Sequence, residues 1–192
     1  MPHVSIIGAG NMGQAIAALV TKGGNTVELF RTSDADRPVT GEVVVLAVPY
    51  PAVADVLAQR REQLAGKVVV DITNPLNFAT FDSLVVPADG SATAEIAVAL
   101  PQSRVVKAFN TTFAATLASG TVGELPTTVL IAGDNADAKA LLAGIVTAGG
   151  GIRAIDAGDL RRARELEALG FLQITLAAAE KISWTGGFAV VS

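Results

Sequence analysis

Six residues near the amino terminus constrain this chain more than any others. Gly8-Ala9-Gly10-Asn11-Met12-Gly13 is a GxGxxG sequence. It lies directly after the apolar, β-branched run Val4-Ser5-Ile6-Ile7 and directly opens Asn11–Lys22, which reads as a helix. In that setting each glycine has a physical purpose. Gly8 permits the tight turn, Gly10 lets the backbone approach a pyrophosphate without a Cβ clash, and Gly13 lets the helix pack close to the strand. Free N–H groups at the helix start, reinforced by the helix dipole, favour a phosphate there. The segment predicts a dinucleotide site with Gly8, Ala9, Gly10, Asn11, Met12 and Gly13 around the pyrophosphate. The bland alternative is a glycine-rich turn.

The remaining chain repeats the same alternation of short β-branched runs and Ala-rich helical stretches. Strands are expected at residues 4–7, 26–30, 43–48, 67–72, 104–109, 127–131 and 152–156. Helices are expected at 11–22, 51–64, 91–100, 135–147 and a long 160–182. This order predicts an α/β fold, a doubly wound, mostly parallel Rossmann sheet with right-handed crossovers, a C-terminal helix and a short tail. Residues 1–158 form the NAD(P)-binding unit in this reading. Residues 159–192 form a C-terminal helix and tail of the same compact body, serving an acceptor pocket or a dimer contact. One irregularity stands out. Only residues 32–42, with Pro38 and Gly41, separate the second and third strands, too few for a crossover helix, so a loop is expected. The pairs Arg60-Arg61 and Arg161-Arg162 read as solvated helix faces.

Composition narrows the chemistry. With 192 residues, 14 Lys+Arg against 18 Asp+Glu, and a net charge of −4, the chain lacks the basic face of a nucleic-acid protein. It has no Cys and one His, His3, which excludes thiolate metal sites and cysteine nucleophiles and argues against a Ser-His-Asp triad or a multi-histidine metal site. Apolar runs reach only about 12 residues, short of the about 20 that span a bilayer. No targeting segment is visible, and a soluble cytoplasmic protein is expected.

Ligands of open α/β sheets sit at the carboxyl ends of the strands. The second strand ends in Arg31-Thr32-Ser33, without the acid that binds ribose hydroxyls in NAD sites; Arg31, Thr32 and Ser33 suit a 2′-phosphate, hence NADP(H). Asp34 and Asp36 come slightly late but within reach of a ribose. Glu28, inside that strand, is expected to point outward or to pair structurally. The third strand ends in Ala47-Val48-Pro49-Tyr50, an apolar shelf for adenine or ribose with Tyr50 as an aromatic wall, or simply a rigid turn. The fourth ends in Asn74-Pro75, where Asn74 either hydrogen-bonds ribose or the nicotinamide side, or forms an Asx turn. The fifth ends in Ala108-Phe109-Asn110-Thr111, near the nicotinamide. Lys107, inside that strand, is a candidate partner for Asp71.

Taken together, these segments resemble the F-420-dependent NADP oxidoreductase family. The motifs that carry the likeness are Ile6-Ile7-Gly8-Ala9-Gly10-Asn11-Met12-Gly13, Leu46-Ala47-Val48-Pro49, Asp71-Ile72-Thr73-Asn74-Pro75, Ser91 and Glu95 followed by Pro101, and Val105-Val106-Lys107-Ala108-Phe109-Asn110-Thr111. The resemblance implies a usually dimeric Rossmann protein passing hydride between NADPH and a deazaflavin (F-420) or flavin. It implies Gly8 to Gly13 at the pyrophosphate, Arg31, Thr32 and Ser33 at the 2′-phosphate, Val48 and Pro49 at the ribose, and Ala108, Phe109 and Asn110 at the nicotinamide. The chain departs from the archaeal pattern at Arg31-Thr32-Ser33 and at Asn110, where those relatives carry Ser-Arg-Arg and His. Hydride transfer between two cofactors needs no side-chain acid or base, only proximity and orientation, which fits a site with few ionisable groups. Two other readings share the glycine loop: an imine or pyrroline-carboxylate reductase, and a non-catalytic NADP(H)-sensing module. The apolar face at 160–182 either covers the sheet or forms a homodimer contact, and Trp184 to Phe188 is a candidate closure of the acceptor pocket.

Overall fold

The computed structural model describes residues 1–191. Apolar runs too short for helices become strands β1 (His3–Ile7), β2 (Thr26–Phe30), β3 (Val43–Leu46), β4 (Val68–Asp71) and β5 (Arg104–Lys107). All five run parallel in the order β2-β1-β3-β4-β5. Every residue of β3 and β4 is buried, as expected of central strands covered on both faces. Helices α1 (Asn11–Lys22), α2 (Tyr50–Leu64) and α3 (Ala92–Ala99) connect them. Two apolar clusters fill the two faces, one around Ile6, Val45, Val70 and α1, the other around Phe30, Leu46, Val69 and α2.

The register places Phe30, Ile7, Leu46, Asp71 and Lys107 in one row across the sheet. All five parallel strands therefore stop at the same level, and the loops beyond that row form one continuous rim. Between β2 and β3 the expected loop is present: a 3-10 turn at Thr32–Asp34, then irregular chain to Glu42.

The second half departs from the sequence reading in three places. A short helix α4 (Ala114–Ser119) and strand β6 (Thr121–Val122), neither expected, follow β5. Strand β7 (Leu125–Gly133) is longer than its apolar core and runs antiparallel to β5 and β6, then parallel to β8 (Ile152–Gly158) across helix α5 (Ala136–Ala148). The long C-terminal helix is α6, Ala163–Ala178, preceded by a 3-10 turn at Leu160–Arg162. It stops short of residue 182 because Glu180 adopts φ 57° and Lys181 N–H turns back to the Leu176 carbonyl. Among the described residues, no helix is long and apolar enough to cross a membrane.

Candidate active site

The rim carries two cavities, one on each side of the glycine loop. The first, about 630 Å³, is lined by Ile7 to Gly10, Phe30 to Thr32, Ala35, Val48 and the α2 residues Ala52, Asp55, Val56, Gln59 and Arg60. The second, about 470 Å³, is lined by Asn11, Met12, Ile72, Asn74, Phe109, Asn110 and Thr112 to Ala115, with Phe78, Phe81, Ile174 and Trp184 at its edges. Residues 8–10 of the loop line the first cavity, and residues 11 and 12 line the second.

That loop is shaped by close approach. Gly8 has φ 118°, and a Cβ there would lie 2.0 Å from the Ala47 carbonyl oxygen; a Cβ on Gly13 would lie 1.9 Å from the Gly8 carbonyl oxygen. Gly8 and Gly13 thus serve the packing that lets β1, β3 and α1 converge. Gly10 is different. A Cβ there meets nothing within 4 Å, so no packing within the chain requires a glycine at this position. Gly10 is the N-cap of α1 and receives no side-chain cap. The helix therefore presents its first N–H groups to the open space beside Gly10.

At the β2 tip, Arg31 and Thr32 line the first cavity, while Ser33 is exposed beside them and does not. Pro49 caps α2, and Tyr50 starts it, outside both cavities. The Tyr50 hydroxyl donates to Glu95, and burial together with that carboxylate pushes the phenol up to about 12. Pro75 and Ala108 are buried beneath the second cavity's rim rather than on its surface.

Asn74 and Asn110 meet there. Asn110 Nδ2 donates to Asn74 Oδ1 at 3.0 Å and to the Leu166 carbonyl at 2.8 Å, while Asn74 Nδ2 donates to the Asn110 carbonyl at 3.0 Å. Two acceptors on one NH₂ group fix the amide's orientation. Asn110 Oδ1 is then buried with no donor among the described residues. The turn that delivers Asn110 is strained: Phe109 has φ 62°, and Asn110 N–H bonds the Ala108 carbonyl only two residues back.

Behind this cavity lies a cluster the sequence only half announced. Lys107, fully buried, donates to Asp71 at 2.9 Å as expected, but also to Glu167 of α6 at 2.9 Å and to the Thr73 carbonyl. Glu167 further accepts from the Ala92 and Thr93 N–H groups at the start of α3, and the Thr93 hydroxyl donates to Asp71 at 2.7 Å. Burial pushes the Glu167 carboxyl up, against the pull of the Lys107 ammonium and its hydrogen bonds. A buried Lys signals a partner by its type, but the one from α6 is 60 residues away and carried no local sign.

Two further residues escaped the sequence reading. Arg60 was expected on a solvated face; it is only 4% exposed, its guanidinium held by the Asp34 and Arg37 carbonyls. Gly170, in mid-helix, lets α6 lie against the asparagine pair: a Cβ would come within 2.3 Å of Asn74 Oδ1. Trp184, from the tail, packs against Phe113 with ring centroids 4.9 Å apart and planes tilted by 54°, and edges the second cavity. Among the described residues, no group of acidic and histidine side chains is placed to hold a metal ion.

The model of the family described as "NADP oxidoreductase coenzyme F420-dependent" matches residues 26–75. An F420-dependent NADP reductase from Methanocaldococcus jannaschii is 32% identical over 166 residues, 85% of this chain and 74% of its own length. The chain belongs to the F420-dependent NADP reductase family. A solved structure from Arthrobacter sp. FB24, assigned as such a reductase, covers 98% of this family member at TM-score 0.86 and 26% identity, and is itself 99% covered. An imine reductase from Bacillus cereus matches at TM-score 0.63 and 19% identity over 63% of its own length, which shows the shared fold alone. In this family member the glycine loop, the strand tips and the strand-five motif all lie on the one rim.

Proposed function

We propose that this chain is an NADPH-dependent oxidoreductase that moves hydride between NADP(H) and the deazaflavin coenzyme F420 or a similar flat acceptor. The observation that carries the reading is the pair of cavities flanking one glycine loop, the first with a cation and a hydroxyl at the β2 tip, the second apolar and rimmed by Phe78, Phe81, Phe113 and Trp184. The chain's own groups fit a dinucleotide. Gly10 leaves an open approach to the α1 N–H groups, and the Asn110 Oδ1 without a donor is of a kind that a carboxamide N–H satisfies.

In this reading Gly8, Ala9, Gly10, Asn11, Met12 and Gly13 form the pyrophosphate cradle, and Arg31 and Thr32 receive the 2′-phosphate at the cavity's edge, with Ser33 exposed beside them. Ala47, Val48 and Pro49 shape the ribose side, with Tyr50 behind them, turned to Glu95 and outside the cavity; Asn74, Pro75, Ala108, Phe109 and Asn110 shape the nicotinamide side. When bound, NADPH supplies the hydride. The protein's part is to hold two rings face to face and exclude water. Residues 1–158 carry the cofactor, and 159–192 complete the acceptor cavity through Ile174 and Trp184. A cytoplasmic homodimer without a nucleic-acid partner belongs to the same proposal, supported by exposed Leu172, Trp184 and Phe188 and by the net charge of −4.

The test is NADPH oxidation followed with F420, a flavin and a ferric salt as acceptors. Turnover with F420 is expected, with 2′,5′-ADP competing against NADPH but not against the acceptor. Tight NADPH binding without turnover on any acceptor overturns the catalytic reading in favour of a sensor.

A further inference from the structure

The segment between β2 and β3 lacks a crossover helix, so another device must hold the β2 tip in place. Arg60 of α2 supplies it. Its Nη1 donates to the Arg37 carbonyl at 2.8 Å and its Nη2 to the Asp34 carbonyl at 2.6 Å. Its guanidinium lies 5.0 Å from the centre of the buried Phe30 ring, where Arg37 also stacks at 3.8 Å. Asp34 in turn grips the Arg31 peptide from both sides. Asp34 Oδ2 accepts from Arg31 N–H at 2.7 Å, and Asp34 N–H donates to the Arg31 carbonyl at 3.0 Å. A line of contacts thus runs from Arg60 through Asp34 to Arg31.

Two consequences follow for the first cavity. An acid just after the second strand is the group that binds the ribose 2′-hydroxyl in NAD sites, and a 2′-phosphate would be repelled by it. Here the Asp34 carboxylate is turned to the Arg31 N–H and to Arg37, 3.8 Å away, and does not line the cavity. What the tip presents instead is Arg31, which pairs with no carboxylate among the described residues, and Thr32. Asp55 is the acid that does line this cavity, from α2 rather than from the strand tip.

We propose that Arg60 is a positioning residue for cofactor choice. By clamping the Asp34 and Arg37 carbonyls it keeps Asp34 out of the cavity and Arg31 in it, and so favours NADP over NAD. The inference rests on the NADPH reading above. A planar guanidinium bridges two carbonyls at once, whereas an ammonium carries the same charge without the fork.

Arg60→Lys and Asp34→Ala in the full chain test this, with calorimetric Kd values for NADPH and NADH and amide hydrogen exchange of the cofactor-free protein. Arg60→Lys is expected to weaken NADPH about tenfold or more, the scale of lost charge-assisted hydrogen bonds, while NADH changes by less than about twofold. Exchange at the Arg31 and Asp34 amides accelerates. Asp34→Ala, in a partly exposed loop, frees the Arg31 peptide without bringing an acid into the cavity. It therefore accelerates exchange at Arg31 and weakens NADPH more than NADH but less than Arg60→Lys does, and it carries the test if Arg60→Lys does not fold. Equal weakening of both cofactors, or faster exchange with unchanged selectivity, overturns the proposal. If the unmodified protein binds neither cofactor, the NADPH reading fails. Unaltered exchange at Arg31 and Asp34 in both variants sinks the clamp on its own account.

Discussion

A Cβ built on Gly13 would sit 1.9 Å from the Gly8 carbonyl oxygen, whereas one built on Gly10 meets nothing within 4 Å. The two glycines stand in one motif for different reasons, and alanine separates them. Gly13→Ala is expected to destabilise the fold by at least about 2 kcal/mol, because backbone rather than a flexible side chain must move. Gly10→Ala, with an ordinary φ of −72°, is expected to keep its melting temperature within a few degrees while losing NADPH affinity about tenfold or more. Thermal melts and NADPH titrations of the two variants check this, and a folded Gly10→Ala variant with unchanged affinity would contradict it. Glu28 offers a second residue-scale test. Burial pushes its carboxyl up, but hydrogen bonds from the Ser5 hydroxyl and from the Thr40 N–H and hydroxyl bring it down to about 2 from an ordinary 4.5. A carboxyl lowered by folding stabilises the fold above its unfolded value and stops doing so below its folded one. Stability is therefore expected to fall as pH drops from about 4.5 to about 2. Glu28→Gln should flatten that part of a urea-denaturation profile, at a constant cost of about 1–2 kcal/mol at neutral pH.

At the scale of elements, the first half of the sheet was legible because each strand is a short, β-branched-rich stretch, with β3 an unbroken apolar run, and the stretches alternate with Ala-rich helical segments. The loop in place of a crossover helix was legible too, from chain length alone. What sequence patterning missed depends on distant contacts. Arg60 looked like any solvated arginine because its acceptors are backbone carbonyls of a loop 23 and 26 residues away. Helix α6 ends before the expected residue 182 because the Ala-rich run stops at Ala179 and the backbone turns left-handed at Glu180, a turn that the helix-compatible Lys181-Ile182 does not announce. Gly170 shows the same blindness in a useful form. A mid-helix glycine normally costs about 1 kcal/mol relative to alanine, so Gly170→Ala ought to stabilise α6. The packing reverses the sign. The new methyl would press on Asn74 Oδ1 at 2.3 Å and on the Asn110 carbonyl at 2.9 Å. Gly170→Ala is expected to lower stability by about 1–3 kcal/mol and to raise the KM for NADPH. A stabilised variant would show that α6 does not lie this close to the asparagine pair.

At the scale of the whole molecule, the candidate site is as rigid as the joint between the sheet and its C-terminal helix. That joint is the Lys107 cluster, where β4, β5, α3 and α6 contribute Asp71, Lys107, the Ala92 and Thr93 amides, and Glu167. Lys107 also holds the Thr73 carbonyl, one residue before Asn74, so the ion cluster fixes the floor of the second cavity as well as the helix beside it. Charges this deep add stability only while they are all matched. Lys107→Met would leave two fully buried carboxylates without their cation, and is expected to cost about 3–5 kcal/mol in urea denaturation. Adding Glu167→Gln to that variant removes one of the stranded charges and leaves Asp71 with the Thr93 hydroxyl and the Thr73 N–H as donors. The double variant should therefore be less damaged than the sum of the single ones by at least about 1 kcal/mol. Strict additivity would mean that Lys107 and Glu167 do not act as one unit, and α6 would then be held by its apolar face alone.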